Sequence, residues 1–273
     1  MKPACVEILD RARVRVSGAD AARYLNGQLS NDLRKLPPGA ALRACLLTAK
    51  GKLVADPFVW REGEDFILEA HASLQEALLA RLERYIVADD VTVEPLEVVP
   101  ATYHVLGVAE PAGRAINRLG VPGFDAAEPP AGIPRLDFAD AETIRIRHAM
   151  PLWGKELDAD VLPAEAGLDV LAVDFHKGCY VGQEVVSRME TAGRTRRQLA
   201  VLQTRPLLPE GTELFAPGGE HAIGRLTSST PEAGGGVALA WLTPAFAAAG
   251  TRLKPAAGES DSLTDIEVIE KLP

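Results

Sequence analysis

The sequence is poor in sulfur and in aromatic rings. Its 273 residues include three cysteines and three methionines, and Phe, Trp and Tyr together make up 5%. The cysteines, Cys5, Cys45 and Cys179, are odd in number and far apart, and no C-x-x-C pair occurs, which excludes a disulfide framework. They are also too few for one chain to house a four-thiolate iron–sulfur cluster. No run of about 18 apolar residues is present, so no membrane-spanning helix is expected, and Met1 to Ile8 lacks the apolar core of a signal peptide. The expected location is the reducing cytoplasm. Positive charge is in deficit: 29 Lys and Arg against 38 Asp and Glu leave a net charge of −9. General binding to nucleic acid or to an anionic membrane is therefore not expected, although a local basic patch is compatible with that balance. His71, His104, His148, His176 and His221 show no metal-ligand spacing, so no metal site is expected.

What is present is an ordinary globular composition, 47% hydrophobic and 25% charged, in a chain long enough for about two domains. Val6 and Ile8, then Val14 and Val16, alternate as strands do, up to a turn at Ser17-Gly18. Asp20 opens a helix with Ala21, Leu25 and Leu29 on one face. Two apolar runs, Ala41 to Thr48 and Leu53 to Trp60, are joined by Ala49-Lys-Gly-Lys52 as in a hairpin. Phe66 to Glu69 reads as a strand, and Leu74, Leu78, Leu82 and Ile86 mark the clearest helix, with Ser73 as its cap. Val91, Val93 and Leu96 return to strand.

This order predicts antiparallel α+β layers, because parallel units would need a helix between every pair of strands. From Glu110 to Pro134 Gly, Pro and Ala accumulate, and a loop is expected. Glu142 to Ala149 is ambiguous, because Ile144 and Ile146 alternate as in a strand while Ala141-Glu142 and Arg145 suit a helix, and a helix is the expectation. Beyond about Arg194 only short strands recur, at Leu199 to Leu202, Glu213 to Phe215, Ala222 to Thr227, Val237 to Leu242 and Ile266 to Ile269, with Gly- and Pro-rich turns between them. That spacing predicts a small β-barrel. The expected division is residues 1–195 in two α+β parts, with the loop near 110–134, followed by a barrel in 196–273.

The densest chemical feature is Lys177-Gly-Cys-Tyr-Val-Gly-Gln-Glu184. A thiol lies two residues from a cation, two glycines bracket it, and a helix starting at Gln183 would turn its positive end toward Cys179. Each of these favours a thiolate, the form that attacks electrophiles and binds metals. The bland alternative is an inert cysteine in a glycine-containing turn. A thiol hydrolase pairing Cys179 with His176 or His221 lacks the local signatures of known cysteine hydrolases.

The K-G-C-Y-x-G-Q-E stretch resembles the signature of the YgfZ family, folate-binding proteins of iron–sulfur cluster assembly and repair that are related to the aminomethyltransferase of the glycine cleavage system. Gly18 to Asp32, Leu47 to Lys52, Pro163 to Leu168, Arg188-Met189, Gly193, Ile223-Gly224 and Leu226 to Ser228 resemble family segments in the same order. The resemblance implies a cloverleaf aminomethyltransferase-like α+β fold, with two antiparallel α+β parts around a central channel and a small C-terminal β-barrel. It implies a tetrahydrofolate-binding, or other reduced-folate-binding, accessory factor for iron–sulfur proteins, whose partners are client or assembly proteins. It also attaches tRNA modification to the family.

On this reading Cys179 is the reactive group, with Lys177 and Glu184 as its catalytic companions. Tyr180, Gln183, Glu165, Arg147 and Arg188 are the candidate folate contacts. A basic track for an anionic folate tail would draw on Arg145, Arg147, Lys177, Arg188, Arg194, Arg196 and Arg197. The alternative is a folate-dependent aminomethyl transferase in which Asp56 or Glu184 handles protons. Against it, Arg147 stands where the related enzymes carry a pterin-gripping acid, and Ala55-Asp56 replaces their paired acids.

Overall fold

A computed structural model describes residues 1–193, 195–255 and 265–271. In chain order the elements are β1 (Ala4–Ile8), β2 (Arg11–Ser17), α1 (Ala21–Gln28), β3 (Leu42–Arg43), β4 (Leu46–Leu47), β5 (Leu53–Ala55), β6 (Phe58–Glu62), β7 (Asp65–His71), α2 (Gln75–Glu83), β8 (Thr92–Pro95), β9 (Thr102–Leu106), β10 (Arg114–Ile116) and β11 (Gly123–Ala126). There follow α3 (Phe138–Arg147), α4 (Leu168–Ala172), α5 (Gln183–Ala192), β12 (Gln198–Arg205), β13 (Glu213–Phe215), β14 (Ala222–Glu232), β15 (Gly235–Leu242), β16 (Arg252–Pro255) and β17 (Asp265–Lys271). Two compact units result. The first comprises Met1–Leu136, Ala159–Pro163 and Leu168–Ala192, and the second comprises Asp137–Asp158, Ala164–Gly167 and the described residues from Gly193 on.

The first unit holds a five-stranded sheet in the order β3-β6-β7-β2-β8, a four-stranded sheet in the order β1-β9-β11-β10, and the β4–β5 hairpin. Every ladder between these strands is antiparallel, as the α+β reading requires. In β2, Ala12, Val14 and Val16 are buried by alternation. Arg13 is buried as well, because β7 supplies Glu69 as its partner at 2.8 Å. Helix α2 buries Leu78 and Leu82, whereas Ile86 lies past its end. The residue that caps the preceding turn is His71, whose side chain accepts the backbone N–H of Ser73, and not Ser73 itself.

The loop expected from Glu110 to Pro134 is corrected: β10 and β11 lie within it and pair with each other, and β11 pairs in turn with β9. Strands of three and four residues bury only Ile116, Phe124 and Asp125, too few for a period of two to stand out among the glycines and prolines. β9 and β16 carry no marked alternation either.

The second unit is a closed barrel in the order β12-β15-β14-β13-β16-β17. Ala200, Leu202, Leu226, Ala238, Ala240 and Leu242 belong to one buried cluster. Their neighbours Leu199, Val201, Val237 and Leu239 form another with Ile146 and Ala149. Alternation thus sends every second residue of β12 and β15 to each face, and α3 covers the outer one. The side chain of Asp137 accepts the N–H of Asp140 at 2.8 Å and caps α3. Within α3, Arg145 is buried and reaches Glu142, Glu156, Ser228 and the carbonyl of Met150. This charged residue sits between Ile144 and Ile146, which is why the stretch also reads as a strand.

Candidate functional site

Two separate stretches of the first unit meet at the K-G-C-Y-x-G-Q-E segment. The first is the end of α1. There the ammonium of Lys177 donates to the carbonyls of Asn26, Leu29 and Asn31 at 2.7, 2.6 and 2.9 Å, of which Asn26 is in the last turn of α1, where a helix leaves carbonyls without partners. Lys177 is only 6% exposed, and burial draws its pKa down to about 8 against the pull of Asp32 and Asp174. Its charge is therefore turned inward onto α1, and its Nζ lies 5.3 Å from the centre of the Tyr180 ring.

The second stretch is the β4–β5 hairpin. Gly182 has φ +89°, and a side chain there would meet the carbonyl oxygen of Thr48 at 2.7 Å and Cβ of Leu47 at 3.0 Å. Gly51, in the hairpin turn, has φ +73°, and its Cβ would lie 2.8 Å from Cβ of Val185 on α5. Each of the two glycines leaves room for the other's element. Gly178, by contrast, has open space around it.

The first stretch also holds Ser30, whose hydroxyl donates to Ala172 O at 2.6 Å and accepts the N–H of Cys45 at 2.7 Å. The carbonyl of Ser30 accepts from Asp174 N at 3.0 Å. This bridge escaped the sequence reading, although its place in the α1-terminal segment Gly27-Gln-Leu-Ser30 marks it.

At this junction Cys179 is exposed, whereas Cys5 and Cys45 are fully buried. Burial pushes the Cys45 thiol up to about 12. Tyr180 is buried, its phenol has no hydrogen-bond partner among the described residues, and burial raises its pKa, so it stays protonated. Helix α5 starts at Gln183, whose backbone N–H donates to the carbonyl of Tyr180 at 3.2 Å. Glu184 and Arg188, one turn apart on α5, pair with each other at 2.6 Å in the open. Such an exposed pair contributes little to stability.

The remaining candidates lie in the second unit. Glu165 is 4% exposed and pairs with Arg197 at 3.3 Å, and Arg147 pairs with Glu232. Arg194 falls outside the described residues. Asp56, the acid of the alternative reading, pairs with Arg43 at 2.5 Å in the first unit. Among the described residues no three His, Cys, Asp or Glu side chains gather as a metal site, and no helix is long and apolar enough to cross a membrane.

Residues 4–121 match the family described as GCVT N-terminal domain. The human mitochondrial iron-sulfur cluster assembly factor IBA57 is 31% identical over 279 residues, covering 87% of this chain and 77% of that protein. The chain belongs to the YgfZ/IBA57 family. It spans 54% and 64% of two fungal IBA57 homologues. Within the YgfZ/IBA57 family the tRNA-modifying protein YgfZ of Escherichia coli is 25% identical, over 75% of this chain and 73% of that one. The fold is that of the glycine cleavage system aminomethyltransferase T from Bartonella henselae, with a TM-score of 0.82, 18% identity, and coverage of 98% of this chain and 85% of that one.

Proposed function

We propose that this YgfZ/IBA57 family member is a reduced-folate-binding accessory factor for the assembly, maintenance or repair of iron–sulfur proteins, acting through Cys179. The carrying observation is that Cys179 is the exposed one of three thiols and sits where Lys177, Gly51 and Gly182 fix its loop against α1 and the β4–β5 hairpin. An iron–sulfur cluster is the cargo in this reading. One exposed thiol supplies one ligand, so the others come from a client, an assembly protein or a small thiol.

Whether the residues fit a reduced folate rests on two unspent polar groups. The phenol of Tyr180 is buried without a partner, and the side-chain amide of Gln183 makes no hydrogen bond among the described residues. A protonated phenol and an amide offer the mix of donors and acceptors that a pterin edge requires. Glu165 and Arg147, already engaged in ion pairs, are weaker candidates. When bound, a reduced folate would supply a redox-active ring whose nitrogens carry one-carbon groups. Lys177 holds the Cys179 loop onto α1, and Tyr180 retains its proton for donation.

Aminomethyl transfer is the weaker reading, because Asp56 is held by Arg43 and Glu184 by Arg188. Free thiols fit a reducing compartment, the cytoplasm in our reading, whereas the human relative is named as mitochondrial. The E. coli relative's name refers to tRNA modification. With a net charge of −9, this chain would serve such a process through an iron–sulfur enzyme instead of binding RNA itself.

The test is a deletion strain scored for several iron–sulfur enzyme activities and rescued with wild type or Cys179→Ala. Rescue by wild type alone is expected, and equal rescue by Cys179→Ala would remove the thiol mechanism. In parallel, tetrahydrofolate titration should show weaker binding for Tyr180→Phe and Gln183→Ala at unchanged folding. Unchanged affinity in both variants would remove the folate contacts assigned here.

A further inference from the structure

The first unit contains a cavity of about 250 Å³ whose polar lining is Arg13, Glu62, Thr102, Arg114 and Asp125. Most of these groups are already engaged. Arg13 donates to Glu69 at 2.8 Å and to Thr102 at 2.7 Å. Asp125 accepts from Arg118 at 2.6 and 2.9 Å and from His104 at 3.1 Å. Arg114 is the exception. Its guanidinium lies 3.8 Å from the centre of the Trp60 ring, and its one ion pair, with Glu62, is long at 3.6 Å. It donates no side-chain hydrogen bond among the described residues. The indole N–H of Trp60 in turn fixes Glu62 at 2.9 Å.

A guanidinium held against an indole with its donors unspent is a preorganised carboxylate receptor. Burial above all, and Arg13, press against the charge of Arg114 despite the pull of Asp125, Glu62 and Glu69, and a bound anion would add to that pull. The lining also sets the ligand's charge. Two arginines face two carboxylates, so a dianion such as phosphate meets repulsion from Glu62 and Asp125, whereas a zwitterion matches both signs. Pro100, Ala101 and Ala126 supply an apolar wall. Since a cavity of about 150 Å³ admits benzene, this one admits roughly ten non-hydrogen atoms.

We propose that the cavity binds a small α-amino acid of about the size of leucine, its carboxylate on Arg114, its ammonium toward Glu62 and its side chain against Pro100, Ala101 and Ala126. The site goes beyond the thiol and folate reading and uses neither.

Calorimetric titration of the full chain with L-leucine, with isocaproate, which lacks the ammonium, and with inorganic phosphate tests this. Leucine should bind saturably, with a Kd of about 1 mM or below, and more tightly than isocaproate, and phosphate should bind least. Arg114→Gln should weaken leucine at least about tenfold, and Glu62→Gln should bring leucine to the level of isocaproate. Arg114→Lys, which keeps the charge and loses the planar fork, should fall between and guards against misfolding of the glutamine variant. Cys179→Ala should bind leucine as the wild type does. No saturable leucine binding, undiminished binding in both Arg114 variants, or tighter binding of phosphate than of leucine would each overturn the proposal.

Discussion

Burial, more than neighbouring charge, separates the three thiols. Lys177, which the linear sequence places beside Cys179, spends its ammonium on three carbonyls of α1 and its surroundings. Cys179 should nevertheless alkylate fastest at neutral pH, because Cys5 and Cys45 are sealed in the core and Cys45 is held protonated up to about 12. Peptide mapping after limited iodoacetamide treatment of the folded protein checks this, and labelling of Cys5 or Cys45 ahead of Cys179 would contradict it. Asp125 gives the second prediction. Burial raises its pKa, but hydrogen bonds from His104 and Arg118 and the charge of Arg118 outweigh that and leave it at about 2, below its ordinary 3.8. A carboxylate so depressed stabilises the fold fully above the ordinary value, and the contribution is lost as pH falls through the depressed one. Asp125→Asn should therefore cost about 2 kcal/mol or more near pH 5, and its deficit against wild type should shrink toward zero below about pH 2. Urea midpoints across that range provide the measurement.

Glycine-mediated contact between the β4–β5 hairpin and the start of α5 explains why two distant stretches of the resemblance belong together. Gly182→Val should lose about 2 kcal/mol or more, since it combines a left-handed backbone with a clash against the Thr48 carbonyl. Gly178→Ala, with open space around it, should fold as the wild type does; equal melting temperatures for the two variants would refute the distinction. Helices α1 and α2 and most of the barrel strands were legible in the sequence because their buried residues recur with a period, as Leu74, Leu78 and Leu82 do. α4, β9, β10, β11 and β16 were not, because each has five residues or fewer and no marked periodicity. In the candidate site, Cys179 and the start of α5 could be read from the motif. The direction of the Lys177 side chain could not, because its partners lie about 150 residues earlier in the chain. The charged cluster of Arg13, Glu69, Arg118 and Asp125 left one faint signal, arginines alternating with valines in β2, which reads equally well as a solvated face.

The proposed chemistry rests on Cys179 in the first unit, whereas the second unit holds a buried ion-pair network, and one pair of variants separates the two roles. In the second unit Arg145 is 3% exposed and bridges Glu142 and Glu156, while the hydroxyl of Ser228 donates to Glu156 at 2.5 Å. Removing the guanidinium leaves a fully buried carboxylate at Glu156 without its cation, a change that typically costs about 3–5 kcal/mol. Arg145→Met should accordingly lower the melting temperature and the amount of protein in the cell, and iron–sulfur enzyme activities should fall in proportion to that amount. Cys179→Ala removes one exposed sulfur and should change stability by less than about 1 kcal/mol, leaving abundance intact while rescue is lost. Immunoblots and enzyme assays on the same cultures distinguish the two. If activity per molecule also collapses in Arg145→Met, the second unit takes a direct part in the chemistry; if Cys179→Ala loses activity only through lost abundance, the exposed thiol is structural.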